Sequence, residues 1–266
     1  MPLRKIWILA EPECFFLPFL VDLLAKRQVV AGIIEIHFKR TFMSRLRSLF
    51  RMLEFLGLGA FSSVIIDYLW VRIKDISCAE DVYSLRKVAR KHGLALHRCL
   101  GFNDQILEGI FRDQINDAPV LVQVKRLVPA FLTDNYLLIN KHCSILPRYA
   151  GLYPIFWTML AKEAEQGVTI HRMDRAYDNG PILAQAKIHD QGTFFDNYAM
   201  LYELTADLLT TLVRQNGYSL SPLGLNAVMP EHYVGMPTVA DRKMFKSKGL
   251  RFGSPLLSLK SRKQKQ

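Results

Sequence analysis

Short apolar runs alternate with amphipathic segments along the first half of the chain. Lys5–Ala10 and Val29–Phe38 are apolar runs of strand length, and Phe15–Lys26 between them has the periodicity of a helix. The alternation continues with a helix over Val82–Lys91, a strand over Leu94–His97, a helix over Asp104–Arg112 and a strand over Val120–Val124. Strands that alternate with helices predict an α/β fold, in which a mostly parallel sheet carries helices on both faces.

The second half continues with strands that border two polar loops. The predicted elements are a strand over Tyr136–Asn140, a helix over Pro154–Lys162, strands over Val168–Met173 and Ile182–Ile188, and a long helix over Phe194–Arg214. One polar loop follows Asn140, and the other contains the turn-forming residues Asp178 to Pro181.

Residues 44–73 interrupt this alternation. Arg45, Arg47 and Arg51 interleave with apolar positions, and Gly57 and Gly59 then precede a second apolar helix, which predicts an inserted helical hairpin. One interpretation is extra core packing. The other is a surface that docks on a membrane or a substrate, because basic amphipathic helices lie in bilayer interfaces. The charged residues within the apolar region argue against a helix that spans the bilayer.

The formal charge of +11 is concentrated at the C-terminus. Nine basic residues and no acidic ones lie between Arg242 and the end of the chain, which leaves +2 for residues 1–241. A nearly neutral body argues against nucleic acid as a partner, and a like-charge terminal block is typical of a solvated end. We therefore expect a main domain over residues 1–216, a C-terminal extension over 217–252 and a disordered basic tail over 253–266.

The four cysteines are far apart and show no ligand spacing, so neither a disulfide framework nor a zinc site is predicted. Glu11 and Glu13 break the apolar N-terminal run early, unlike a secretion signal. The expected location is the cytoplasm, and residues 44–73 leave peripheral membrane association open.

Asn140 and His142 are alternate residues in an extended segment, so their side chains are expected to point to the same side. They follow a strand, and the carboxyl ends of parallel strands are where ligands bind in such sheets. The spacing alone is more often that of a polar loop held by its own hydrogen bonds.

Three blocks resemble the folate-dependent formyltransferase superfamily, which includes glycinamide ribonucleotide, methionyl-tRNA and sugar N-formyltransferases. The first runs from Asn140 through His142, Ser144 and Pro147 to Gly151, the second is Gly167-Val-Thr169-Ile-His171, and the third is Asp178-Asn-Gly180-Pro-Ile. The resemblance implies a Rossmann-like sheet and transfer of a formyl group from 10-formyltetrahydrofolate to a primary amine, with no metal. Ala150 and Cys143 depart from the family's usual residues, which leaves the acceptor geometry in question.

The same resemblance implies roles for individual residues. Asn140, His142 and Asp178 fall on the family's catalytic positions, whereas Ser144 and His171 are expected to support them. Cys143 should point away from His142, which argues against a nucleophilic pair. The residues expected to border the folate are Lys125, Arg126, Leu127, Met173, Asp174 and Asp178.

The acceptor expected from this resemblance is a small molecule, most simply a nucleotide-linked amino sugar used in surface-polysaccharide synthesis. A tRNA-formylating relative would be expected to carry a further domain after the catalytic core. The alternatives left open are a methionyl-tRNA-type or other-acceptor formyltransferase and a non-catalytic folate-binding or membrane-associated protein. A homodimer is also compatible with the sequence.

Overall fold

A seven-stranded sheet organises the molecule. The computed structural model describes residues 5–77, 82–115, 118–189, 192–215 and 233–264. The strands are β1 (Ile6–Ala10), β2 (Val30–Ile36), β3 (Ala95–Cys99), β4 (Val120–Gln123), β5 (Leu138–His142), β6 (Ala150–Gly151), β7 (Glu165–Arg172), β8 (Ile182–His189) and β9 (Tyr233–Val234). The large sheet has the order β3-β2-β1-β4-β5-β7-β8, and β6 pairs with β9 separately. Its first five strands are parallel, whereas β7 pairs antiparallel with β5 and β8 pairs antiparallel with β7. The predicted α/β fold class is confirmed.

Helices cover both faces of this sheet because its central strands are apolar on both sides. In β1, Ile6 and Ile8 belong to one buried cluster, and Trp7 and Leu9 belong to the other. The helices are α1 (Phe16–Lys26), α2 (Phe42–Ser77), α3 (Leu85–His92), α4 (Gln105–Ile110) with a π-helical turn over Phe111–Ile115, α5 (Ala130–Asn135), α6 (Pro154–Leu160), α7 (Phe194–Gln215), α8 (Val239–Ser247) and α9 (Pro255–Lys263).

Strand β5 ends two residues later than the sequence pattern predicted. It continues through His142 because β7 pairs with it, placing Asn140 opposite His171 and His142 opposite Thr169. His142, which was expected in the loop, therefore lies within the paired strand together with Asn140, and the pairing fixes the backbone positions of both.

The hairpin expected over residues 44–73 corresponds to the longer helical stretch α2. Gly57, with φ 73° and ψ 165°, breaks this stretch into two helical segments. The break lies next to the core, since Phe55 and Leu56 are buried there, and the Arg242 guanidinium donates to the carbonyls of Leu53 and Glu54. Among the described residues, α2 is long and apolar enough to cross a membrane, and 22% of its most apolar eighteen residues are buried.

The prediction of a disordered tail over 253–266 was wrong for its described part. Ser254 caps the N-terminus of α9 by accepting a hydrogen bond from the Leu257 amide, and Pro255 is the first residue of the helix. Both features favour helix initiation. Leu256 and Leu259 are then buried against the body. Two apolar side chains on one face outweigh the charge of the surrounding lysines. The residues of the predicted extension before Tyr233 lie outside the described ranges.

Candidate active site

Asn140, His142 and Asp178 meet at the carboxyl end of β5. The first two lie on the same face of the strand, and Asp178 reaches them from the loop between β7 and β8. Its Oδ1 lies 3.4 Å from His142 Nδ1 and 3.5 Å from Asn140 Nδ2. One carboxylate oxygen thus faces both side chains that the sequence singled out.

The hydrogen bonds of His142 place an oxygen on each side of its ring. Its Nε2 lies 2.9 Å from the Tyr149 carbonyl oxygen, to which it can only donate. Its Nδ1 faces the Asp178 carboxylate, and the ring is buried. The ring can therefore donate from both nitrogens once it has taken a proton, a suitable arrangement for a general base.

Asp178 is held in its ionised form. Burial alone would raise the pKa of this carboxyl group, but the hydrogen bond and the charge of His142 hold the pKa below its usual range. The Gly151 amide, which donates to Oδ2 over 3.0 Å, lowers it further. Asp178 itself has φ 50°, a left-handed conformation that aspartate tolerates better than most residues.

Two residues outside the trio orient the Asn140 amide. Gln123, at the end of β4, donates from Nε2 to Asn140 Oδ1 over 3.1 Å. His171 donates from Nδ1 to the Arg172 carbonyl, so its Nε2 can accept from Asn140 Nδ2 at 3.3 Å. Burial lowers the pKa of His171, which favours this neutral form. The amide nitrogen is thereby fixed on the Asp178 side of the site.

A buried threonine ties the polar loop after β5 to β7. Thr169 Oγ1 donates to the Ser144 carbonyl over 2.6 Å and accepts from the Leu146 amide over 3.0 Å. Ser144 Oγ in turn donates to the Arg148 carbonyl. These bonds hold the turn that carries the Tyr149 carbonyl to His142. Ser144 therefore supports the loop, as the sequence suggested.

Close backbone contacts explain two glycines of the three blocks. A Cβ on Gly180 would lie 1.7 Å from the Arg172 carbonyl oxygen, so a larger residue would push the Asp178 loop away from β7. Gly151 has φ 112°, and a Cβ there would lie 2.2 Å from the Val234 carbonyl oxygen. Both glycines let backbone segments approach closely around Asp178.

Cys143 and Lys141 lie on the opposite side of this segment from the trio. Both are buried, and Lys141 Nζ lies 3.4 Å from Cys143 Sγ and 3.5 Å from the centre of the Tyr202 ring. Burial lowers the pKa of Lys141. Cys143 does not face His142, so the two do not form a nucleophilic pair.

The residues predicted to border a folate flank the trio on neighbouring segments. The Lys125 amide donates to Glu11 Oε1, the Arg126 guanidinium lies over the Phe38 ring at 4.3 Å, and Leu127 is exposed. Met173 packs against the buried cluster that contains Trp7 and Leu9, and the Asp174 carboxylate accepts a hydrogen bond from the Ala176 amide. Among the described residues, no hydrogen bond or ion pair links any of these five residues to the trio.

One polar atom beside the site has no hydrogen-bond partner within the described residues. Asn179 Oδ1 is buried directly after Asp178. A buried acceptor without a donor is costly, and a ligand with N–H groups would satisfy it. Elsewhere in the described ranges, no group of three or more His, Cys, Asp or Glu side chains could hold a metal ion.

Sequence reasoning missed three contributors to this geometry. They are the Gln123 side chain, the Tyr149 carbonyl and the Gly151 amide. The position of Gln123 at the end of a strand could have indicated it, because polar residues there often face a ligand site. The Tyr149 carbonyl and the Gly151 amide are backbone groups, so the pattern of side chains could not indicate them.

Comparison with known proteins points to the same region. The sequence model of the formyl transferase family matches residues 96–193. Methionyl-tRNA formyltransferases from Thermosynechococcus vestitus and Koribacter versatilis are 35% identical over 136 residues and 36% identical over 132 residues. These matches cover 49% and 46% of this chain but 41% and 40% of those relatives, so the chain spans less than half of their length.

Solved structures share the fold at low identity. A phosphoribosylglycinamide formyltransferase from Bacillus halodurans superposes with a TM-score of 0.53 and 17% identity, covering 84% of this chain and all of the other. A 4-N formyltransferase from Francisella tularensis gives a TM-score of 0.50 at 16% identity, covering 90% of this chain and 78% of the other. The trio and the residues that orient it all lie within residues 96–193, the part of this chain that matches the formyl transferase family model.

Proposed function

We propose that this protein transfers a formyl group from 10-formyltetrahydrofolate to a primary amine, with Asn140, His142 and Asp178 as catalytic groups. The observation that carries the proposal is the convergence of the His142 and Asn140 side chains on one carboxylate oxygen of Asp178, at distances of 3.4 and 3.5 Å. When bound, the folate supplies an activated formyl carbonyl. Lys125, Arg126, Leu127, Met173 and Asp174 would border it, and the unpartnered Asn179 oxygen offers an acceptor beside it.

Each catalytic group has a distinct task in this proposal. The Asn140 amide donates a hydrogen bond where negative charge develops on the formyl oxygen. Its 3.5 Å contact with Asp178 is long and therefore weak, so this N–H can donate to a substrate oxygen without moving from its fixed position. His142 takes the proton that the attacking amine loses and would return it to the folate nitrogen as the bond between that nitrogen and the formyl carbon breaks. Ionised Asp178 stabilises the positive ring between the two transfers. No covalent bond to the protein is needed.

The acceptor that we propose is the amine of a nucleotide-linked amino sugar. Two exposed aromatic residues, Tyr177 and Tyr233, support it. Tyr177 directly precedes Asp178, and the pairing of β9 with β6 places Tyr233 opposite Ala150. The nearby Asp178 charge adds to the effect of burial in raising the pKa of Tyr233. Aromatic faces beside the trio can stack on a sugar or a nucleobase.

A methionyl-tRNA acceptor is the second candidate, because the curated relatives described above carry that name. The two candidates differ in the chemistry of the acceptor and not in the catalytic trio. They are therefore distinguished only by supplying each acceptor.

The experiment supplies the purified protein with 10-formyltetrahydrofolate and, in separate reactions, nucleotide-linked amino sugars, glycinamide ribonucleotide and methionyl-tRNA. Mass spectrometry of the acceptor measures formylation. We expect a product with an amino sugar and a loss of kcat/KM of about 100-fold or more in His142→Ala. His189→Ala, at an exposed histidine on β8, is the matched control. Turnover of methionyl-tRNA alone would favour the second candidate, and no turnover of any acceptor would refute the proposal.

A further inference from the structure

The outward face of α2 carries an apolar stripe. Five exposed apolar residues recur there every three or four positions, apart from one gap that the exposed Ser62 fills. They are Leu58, Ile66, Leu69, Ile73 and Ile76. Their side chains are between 55% and 85% exposed. At 1.5 Å per residue the stripe is about 27 Å long. We call these five residues the outer stripe.

The opposite face of the same segment is fixed to the body. Val64 and Val71 are buried, and the Asp67 carboxylate accepts from Ser254 Oγ over 2.6 Å and from the Leu256 amide over 3.2 Å. The helix therefore cannot rotate to hide the outer stripe. A surface helix of a water-soluble protein normally shows a polar outer face, and a helix that is apolar on both faces is normally covered on both.

The first segment of α2 combines exposed apolar and basic side chains. Phe42 and Phe50 are exposed, as are Arg45, Arg47 and Arg51. Glu54 is the exposed acidic residue of α2, since Asp67 is buried and Asp75 is partly buried. The first segment thus offers a strongly positive surface that also carries exposed apolar side chains.

The basic C-terminal residues lie beside the same helix. Lys246 and Arg251 line an open cleft together with Gly59 and Ser63, which are on the helical row next to the outer stripe. Further along that row, the Lys260 ammonium lies 4.3 Å from the centre of the Trp70 ring. The fold therefore places Lys246, Arg251 and Lys260 beside an exposed apolar helix that is far from them in sequence.

We propose that the outer stripe and the basic residues around it form a docking site for an anionic lipid bilayer, with α2 lying in the interface. Apolar side chains would enter the boundary of the acyl chains, and the surrounding arginines and lysines would contact lipid phosphates. A second copy of this chain fits the surface poorly because two basic surfaces repel each other. Attachment through Asp67 and Val71 favours a helix that lies on the membrane over one that crosses it.

The test measures flotation of the full chain with vesicles of phosphatidylcholine, with and without phosphatidylglycerol. We expect binding to the anionic vesicles, and at least about tenfold weaker binding for Ile66→Ser/Leu69→Ser/Ile73→Ser. Ile106→Ser, at a similarly exposed isoleucine on α4, should bind like the wild type. Arg45→Gln/Arg47→Gln/Arg51→Gln should weaken binding and reduce its sensitivity to salt.

Circular dichroism and light scattering of each variant establish that it is folded and give its oligomeric state. The proposal is overturned if the folded wild type does not float with anionic vesicles, or if the triple serine variant floats equally well. It is also overturned if the wild type is a dimer that the serine variant converts to a monomer, since a second copy would then cover the stripe. Because vesicle binding is measured without substrate, this result is independent of the formyl-transfer assay.

Discussion

Asp178 connects more parts of the candidate site than any other single residue described above. It faces Asn140 and His142 through one oxygen and accepts from the Gly151 amide through the other. Burial of a carboxylate is unfavourable unless such partners are present. The ionised form is therefore stabilised by contacts that exist only in the folded chain, and this links the stability of the protein to pH.

We expect Asp178→Asn to reduce the free energy of unfolding more at pH 7 than at pH 3. The pKa of Asp178 is below its usual value in the folded state, so its stabilisation is present above roughly pH 4 and is lost as the pH falls through the folded pKa. Asparagine also tolerates the left-handed backbone at this position. Urea unfolding at both pH values measures the difference, with Asp174→Asn in the same loop as a control. An equal loss at both pH values would contradict this account.

At the scale of the elements, periodicity predicted most of the fold because the apolar runs coincide with buried strands. Lys5–Ala10 and Val29–Phe38 became β1 and β2 with ends shifted by one or two residues. Strand alternation put Asn140 and His142 on one face, but it was the resemblance of the surrounding blocks to the formyltransferase superfamily that singled them out. The extension of β5 through His142 depended on pairing with β7, a long-range contact that no local pattern contains.

The C-terminal helix shows where local reasoning failed. The run of basic residues indicated a solvated tail, but Leu256 and Leu259 are spaced to lie on one helical face. That face is buried against α7, a helix far from α9 in sequence. No pattern close to α9 therefore indicated the contact. Two apolar positions in a charged segment are too few to predict a docked helix without knowing the surface that receives it.

We expect Leu259→Ala in α9 to lower the free energy of unfolding by about 2–5 kcal/mol, as large-to-small substitutions in cores do. Leu257→Ala, on the exposed face of the same helix, should change it by about 0.5 kcal/mol or less. Chemical unfolding of both variants measures the contrast, which tests whether α9 is part of the cooperative unit. Equal and small effects would mean that the helix is dispensable for stability.

At the scale of the whole molecule, Phe55 joins α2 to the body. Its ring centre lies 4.6 Å from that of Tyr153, 5.7 Å from that of Phe194 and 5.2 Å from that of Phe252. These residues belong to the segment after β6, to α7 and to the C-terminal segment. Tyr153 lies two residues after Gly151, whose amide donates to Asp178. The inner face of α2 is therefore connected to the site, whereas its outer stripe faces away from the body.

The two faces of α2 should separate in experiment. We expect Phe55→Ala to lower the free energy of unfolding by about 3–5 kcal/mol, because removing the ring leaves a cavity among several aromatic side chains. It should also lower kcat/KM, because the segment from Gly151 to Tyr153 loses its packing partner.

The variant Ile66→Ser/Leu69→Ser/Ile73→Ser should leave kcat/KM with a soluble acceptor within about twofold of the wild-type value, since exposed side chains contribute little to the fold. Thermal unfolding and steady-state kinetics on the same preparations test both expectations. If the folded serine variant lost formyl transfer, the outer stripe would take part in the reaction itself. The division of α2 into a structural face and a docking face would then be wrong.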